Sequence, residues 1–121
     1  MEESRNYNIR VLPEALEDLY NIESWYIYNF NKDVAVKIRT VILNAISQLE
    51  FFPELGSLTP DEYLNQLGFK QLICKRHAII YRAIEDTIFI YHIFDTRRDY
   101  PNIFKNTITS RNLVLQEGSL I

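Results

Sequence analysis

Apolar residues change their spacing along this chain in stages. Over residues 7–12 (YNIRVL) they alternate with polar ones and include β-branched side chains, which predicts a strand. From Ala15 the spacing turns helical, with Ala15, Leu16, Leu19, Ile22 and Tyr26 recurring on one face. Pro13 stands where that helix would begin. A first-turn proline gives up no N–H that the helix needs, and Glu14, Glu17 and Asp18 favour the positive helix end. The stretch NFNKD at 29–33 interrupts the pattern and can cap a second helix. There Ala35, Ile38, Ile42, Ala45 and Leu49 form a stripe that Val34, Val41 and Ile46 widen, while Lys37, Arg39, Asn44 and Gln48 face outward. Two amphipathic helices joined by so short a turn are expected to pack antiparallel.

Pro53 and Gly56 end the second helix and open a loop that runs to about Asn65. Three β-patterned segments follow, at 69–74, 78–84 and 88–94. Arg76-His77 marks a turn between the first two, and Glu85-Asp86-Thr87 is a hairpin-length link between the last two. The expected fold is α+β: an N-terminal strand, an antiparallel two-helix hairpin, then a three-stranded antiparallel sheet covered on one side by the hairpin. From Thr107 onward no period is evident. The chain therefore divides into a single domain at 1–104 and a loosely docked extension at 105–121.

Composition narrows the picture. With 121 residues and 47% hydrophobic content the chain suits one domain with a real core. The net charge is −3, so no global basic footprint for nucleic acid exists. The distribution is uneven, however. Residues 1–67 carry 5 basic and 11 acidic side chains, a net of −6, and residues 68–98 carry 6 basic and 3 acidic, a net of +3. One cysteine, Cys74, precludes an internal disulfide and suits a reducing compartment. Met1 is followed by Glu2 and Glu3, unlike a secretory signal, and the longest apolar run, at 88–94, is too short to span a bilayer. The expectation is a soluble cytoplasmic protein without a membrane partner.

Several chemistries lack their residues. Gly56, Gly68 and Gly118 are too far apart for a phosphate-cradling loop or a dinucleotide fingerprint. His77, His92 and Cys74 do not have zinc-ligand spacing, and no Ser or Cys sits in a nucleophile elbow. No metal or cofactor is expected. What remains is a set of basic and phenolic groups: Arg97, Arg98 and Tyr100 after the last strand, Lys75, Arg76 and His77 around the first turn, and Lys70 and Arg82 within strands. Metal-free RNA cleavage needs a base for the ribose 2′-OH, cations for the charged phosphorane and an acid for the leaving oxygen. Arginine fits the second role through its fork, and tyrosine or histidine can carry a proton or stack a base. The candidate catalytic set is thus Arg98, Arg97, Tyr100 and His77, and the candidate RNA-binding set is Lys70, Lys75, Arg76 and Arg82. Each has an ordinary alternative. Arg97 and Arg98 can simply pair with Asp95 and Asp99. His77 can be a turn residue, His92 a packed one, Tyr81 and Tyr91 core, and Cys74 a small buried hydrophobe. Trp25, Tyr20 and Tyr28 are core rim or a protein-binding surface.

The order and spacing of YNIRVLPEALEDL, LEFFPELG, DEYLNQLGFKQLI, AIIYRAIEDTIFIYHIF and TRRDYPNIF, covering residues 7–104, resemble the RelE/ParE family of toxins from type II toxin–antitoxin systems. The resemblance implies a small cytoplasmic α+β protein that a cognate antitoxin wraps and blocks, alone as a possible homodimer or in a toxin–antitoxin hetero-oligomer. It implies either metal-free cleavage of messenger RNA on the ribosome, as in the RelE branch, or poisoning of DNA gyrase, as in the ParE branch. A non-toxic antitoxin-binding module is the third possibility. Arg98 resembles the RelE-branch arginine near the end of the last strand, with Arg97 beside it. Ala78 stands where that branch has a site-facing arginine, Phe69 and Gln71 where one subtype has a lysine pair, and Phe104 where it has a tyrosine. The Arg97-Arg98-Asp99-Tyr100 cluster and the local positive charge put RNA cleavage narrowly first among the expectations, and the long hairpin and acidic balance keep the gyrase reading close behind.

Overall fold

The computed structural model describes residues 6–110. Strand β1 (Asn8–Val11) leads through Leu12 into helix α1 (Pro13–Asn29). Leu12 is extended and Pro13 occupies the first turn, as its fixed φ and missing N–H favour. Helix α2 (Lys32–Gln48) starts at Asn31, whose side chain accepts the Val34 N–H at 2.9 Å. Then come β2 (Ser57–Leu58), α3 (Glu62–Gln66), β3 (Lys70–Cys74), β4 (His77–Ile84), β5 (Thr87–Asp95) and α4 (Tyr100–Ser110).

The α+β class and the hairpin stand as expected, but the sheet is larger. It has five strands in the order β1-β5-β4-β3-β2. β3, β4 and β5 are the expected antiparallel neighbours, and β1 joins them parallel to β5, from Asn8 opposite Thr87 to Val11 opposite Ile90. A parallel pair needs a long crossover, and the α1–α2 hairpin is that crossover. Two elements lie in what reads as a loop. The two-residue β2 pairs with β3, and the single turn of α3 is capped by Asp61, which accepts the Leu64 N–H at 3.1 Å. Neither is long enough to show a period.

The sheet is also covered on both faces rather than one. On the first, Ala15 and Leu19 of α1 and Ile42, Ile46 and Leu49 of α2 pack on Ile79, Tyr81, Ile88, Ile90 and Ile93. Leu16, although in register with the apolar stripe, is 54% exposed, because the stripe is wider than the contact. On the second face α4 lays Tyr100, Phe104 and Ile108 over Phe69, Tyr91 and Phe94. Those three residues recur four apart, so a helical stripe is present, but only two turns of it. Helix α4 runs across the expected boundary at 104. Phe104 and Ile108 are each 1% exposed within that helix. The rest of that expected extension, 111–121, lies outside the described residues.

Two local devices fix the sheet. A bulge inserts Tyr91 between Ile90, opposite Tyr81, and His92, opposite Ile80. Tyr91 and His92 thus both reach the α4 face, where Phe104 meets each ring edge-on. Beyond the end of β1, Asp18 of α1 replaces the missing strand. One carboxylate oxygen accepts the Ile93 N–H at 2.9 Å and His92 Nδ1–H at 2.8 Å. Deep in the hairpin face the Tyr81 hydroxyl donates to the Pro53 carbonyl at 2.8 Å and accepts the Gly56 N–H at 3.0 Å. Gly56 must be glycine for this approach, since a Cβ there would lie 2.5 Å from the Gln71 carbonyl oxygen.

Candidate functional site

The two-residue turn Lys75-Arg76 joins β3 to β4, with Cys74 opposite His77 and Lys75 in the left-handed region at φ 59°. His77 also faces Asp95 at the end of β5, and the Thr96 N–H donates to the Arg76 carbonyl at 2.8 Å. Lys75, Arg76, Arg97 and Arg98 therefore gather at one end of the sheet. Three of the four candidate catalytic residues stand at or near this end, but on different footings.

Arg97 is held by Asp95. Its Nε meets Oδ1 at 3.0 Å and its Nη2 meets Oδ2 at 2.7 Å, while its backbone N–H also donates to Oδ1 at 2.8 Å. The Arg97 hydrogen bonds hold the Asp95 carboxyl well below the usual carboxylate range, and the partner guanidinium is raised in turn. The pairing weighed from the sequence is thus present for Arg97. Arg98 is exposed, and its described hydrogen bonds are those of its backbone, to the Asp95 carbonyl and from the Tyr100 N–H.

His77 points to the hairpin face and is only 5% exposed, its ring edge-on to Tyr26 at 6.4 Å between centroids. Burial pushes its pKa down, with Asp95 opposing and Arg76 and Arg97 reinforcing the shift. It stands neutral at pH 7. Tyr100 is on the opposite face. It is 8% exposed, stacked on Phe94, and its hydroxyl donates to Gln71 Oε1 at 2.6 Å. Burial raises its pKa, so its proton stays in place. The sheet itself stands between the imidazole and this phenol.

The candidate RNA-binding residues also separate. Lys75 and Arg76 are exposed on the turn. Lys70 pairs with Glu54 at 3.2 Å. Arg82 is absorbed by the α4 face. Its guanidinium lies 4.4 Å from the Phe69 centroid and 5.6 Å from that of Tyr91, and donates to the Leu67 carbonyl at 2.9 Å and the Tyr91 hydroxyl at 3.0 Å. Its Nε is buried without a partner, so the side chain packs as much as it bonds. Burial raises the pKa of Tyr91, which serves this bond, and that of Tyr81. Cys74 is half-buried, and burial raises its thiol too.

A cavity of about 160 Å³ opens at the cationic end, between α1 and the ends of β4 and β5. Ile22, Trp25, Tyr26, His77, Asp95 and Arg97 line it. Among these, His77 and Arg97 read as catalytic residues from sequence, and Trp25 as core rim or protein-binding surface. The others lie 50 or more positions away on α1, or serve as an obvious ion-pair partner, so no local pattern joins them. Among the described residues no three His, Cys, Asp or Glu side chains cluster for a metal ion, and no helix is long and apolar enough to cross a membrane.

Comparison with known proteins adds family and fold. Residues 9–100 match the family described as the ParE toxin of the type II toxin–antitoxin system parDE. No curated protein matches the sequence. Among solved structures, the chain resembles one in the chromosomal ParDE system of P. aeruginosa, at 20% identity and a TM-score of 0.64, over 74% of this chain and 95% of that one. It also resembles a chain of the RelBE2 toxin–antitoxin complex of Mycobacterium tuberculosis, at 16% identity and a TM-score of 0.56, over 74% of this chain and 98% of that one.

Proposed function

The chain belongs to the ParE toxin family of type II toxin–antitoxin systems, and from that premise we propose that it arrests growth by binding and poisoning DNA gyrase, without cutting RNA. The observation that carries this reading is the dispersal of the groups that acid–base cleavage would need. Tyr100 is spent on Gln71 beneath α4, His77 lies on the other face, and Arg97 is closed in a bidentate pair. Concerted proton transfer requires donor and acceptor within about 3 Å of the same reacting group. Inhibition by binding requires only a surface, and Trp25, which lines the cavity with Arg97, supplies one together with the exposed Phe30 ring beside it.

A second reading retains support from one feature. Lys75, Arg76 and Arg98 are exposed together at the sheet end, as phosphate contacts would be. Messenger cleavage on the ribosome is the activity such contacts would serve.

In either case an antitoxin is the first partner. The two resembling structures belong to toxin–antitoxin systems, and the hairpin of this chain leaves Leu16, Tyr20 and Ile27 of α1 and Val36 of α2 exposed. Leu16, Tyr20 and Ile27 fall on one side of α1, interrupted by Glu23, and exposed apolar side chains so aligned call for a cover. A short reading frame for the antitoxin is expected beside the gene. The test of target is pulse incorporation of labelled thymidine and labelled amino acid within minutes of inducing the chain alone. Thymidine incorporation is expected to fall first. Prior loss of amino-acid incorporation would move the reading to messenger cleavage.

A further inference from the structure

The cavity beside His77 has the makings of a binding site that neither the fold nor the antitoxin strip explains. Its walls are Ile22, Trp25 and Tyr26 of α1. Its floor is the His77 imidazole, buried and without a hydrogen bond to the protein among the described residues. A neutral imidazole offers one donor and one acceptor, and among the described residues the buried polar atom without a partner is Arg82 Nε, so the His77 ring nitrogens are not sealed off and stay open to what enters the cavity. The Asp95–Arg97 pair closes one side, its charges mutually satisfied. At about 160 Å³ the space is below that of a drug-sized ligand site and suits a single side chain.

We propose that this cavity receives one aromatic side chain with a polar tip, a tyrosine or tryptophan, from the protein target of the toxin, with the ring against Trp25 and Tyr26 and the tip hydrogen-bonded to His77. The choice of occupant follows from the walls and the charge. Aromatic anchors seated in desolvated pockets carry most of the energy of many interfaces. A basic side chain would meet the Arg97 guanidinium that lines the cavity, with Arg76 close enough to act on His77. An anionic group, a phosphate included, would meet the Asp95 carboxylate that lines the cavity. The inference rests on the protein-target reading for the source of the anchor, but the cavity itself is tested without it.

Trp25 is the only tryptophan in the sequence and lines the cavity, so its fluorescence reports occupancy directly. The full chain is titrated with p-cresol, with toluene and with adenosine monophosphate, exciting beyond the tyrosine band. Saturable p-cresol binding is expected, about tenfold tighter than toluene, the worth of one hydrogen bond. In His77→Phe that preference is expected to vanish, and Ile22→Phe, which fills the cavity, is expected to abolish both responses. The two variants are checked for native circular dichroism, and the wild-type titration stands without them. No saturable p-cresol response, equal affinity for p-cresol and toluene, or tighter binding of the nucleotide would each overturn the proposal. Failure here with gyrase still inhibited would remove the anchor and leave the target reading in place. Success here with translation as the first process lost would do the reverse.

Discussion

The two faces of the sheet are built from different side chains. The hairpin face is largely aliphatic, with Leu19, Ile42, Ile46 and Leu49 packed on the isoleucines of β4 and β5. The α4 face is aromatic, with Phe69, Tyr91, Phe94, Tyr100 and Phe104 in edge-on and stacked contacts around the Arg82 guanidinium. The difference explains where chemistry-bearing residues remain usable. On the aromatic face the polar groups serve packing: Arg82 donates to the Leu67 carbonyl and the Tyr91 hydroxyl, and Tyr100 is tied to Gln71. On the aliphatic face the Tyr81 hydroxyl is likewise tied to Pro53 and Gly56, but at the sheet end His77 meets a cavity instead of a partner.

The sharpest way to break this contrast is to remove a ring from the aromatic face. Phe104→Ala is expected to cost about 3–5 kcal/mol in denaturant unfolding, since Phe104 fills the space among Phe69, Tyr91 and Phe94. A loss under about 1 kcal/mol would mean that α4 is not part of the core. Tyr81→Phe removes a buried hydroxyl of the hairpin face. It leaves the Pro53 carbonyl and Gly56 N–H without it, and a loss of about 1–3 kcal/mol is expected by the same measurement.

Tyr100→Phe tests the same contrast by function. Its stability cost is expected to be smaller, about 0.5–1.5 kcal/mol for one hydrogen bond, and growth arrest on induction is expected to persist. Loss of toxicity in a stably folded Tyr100→Phe chain would make the phenol a chemical group and reverse the reading of that face. The smallest effect belongs to the exposed tip. The folded-state pKa of Asp95 lies below its unfolded one, so the Asp95–Arg97 pair stabilises above about pH 4 and loses that contribution as pH falls further. Asp95→Asn is expected to lower the melting temperature slightly at pH 7, where the pair is fully present, and to converge with the parent chain in acid, so that the acid limb is flatter. An unchanged acid limb would show that the pair does not persist in solution.

The same contrast governs what the sequence makes legible. The hairpin face could be read because seventeen-residue helices repeat their apolar positions several times, and because Pro13 and Asn31 mark the helix starts. The α4 stripe could not, because Tyr100, Phe104 and Ile108 span only two turns and follow an Arg-Arg-Asp-Tyr cluster that draws the eye as chemistry. Arg82 and Tyr100 read as site residues from their types alone, and only the register that aims them at Leu67, Tyr91 and Gln71 reveals their use. The parallel docking of β1 and the Asp18 cap on β5 join residues some 75 positions apart, beyond any local pattern. The ion pair of Arg97 could be seen, since Asp95 is two residues away.

Under the proposed function this toxin acts by holding a protein target and not by breaking RNA. The most direct test places the purified chain in two reactions: supercoiling of relaxed plasmid by DNA gyrase, and a reconstituted translation reaction with an end-labelled message. Inhibited supercoiling with an intact message is the expected result. Unimpaired gyrase with a message cut on the ribosome would contradict the claim.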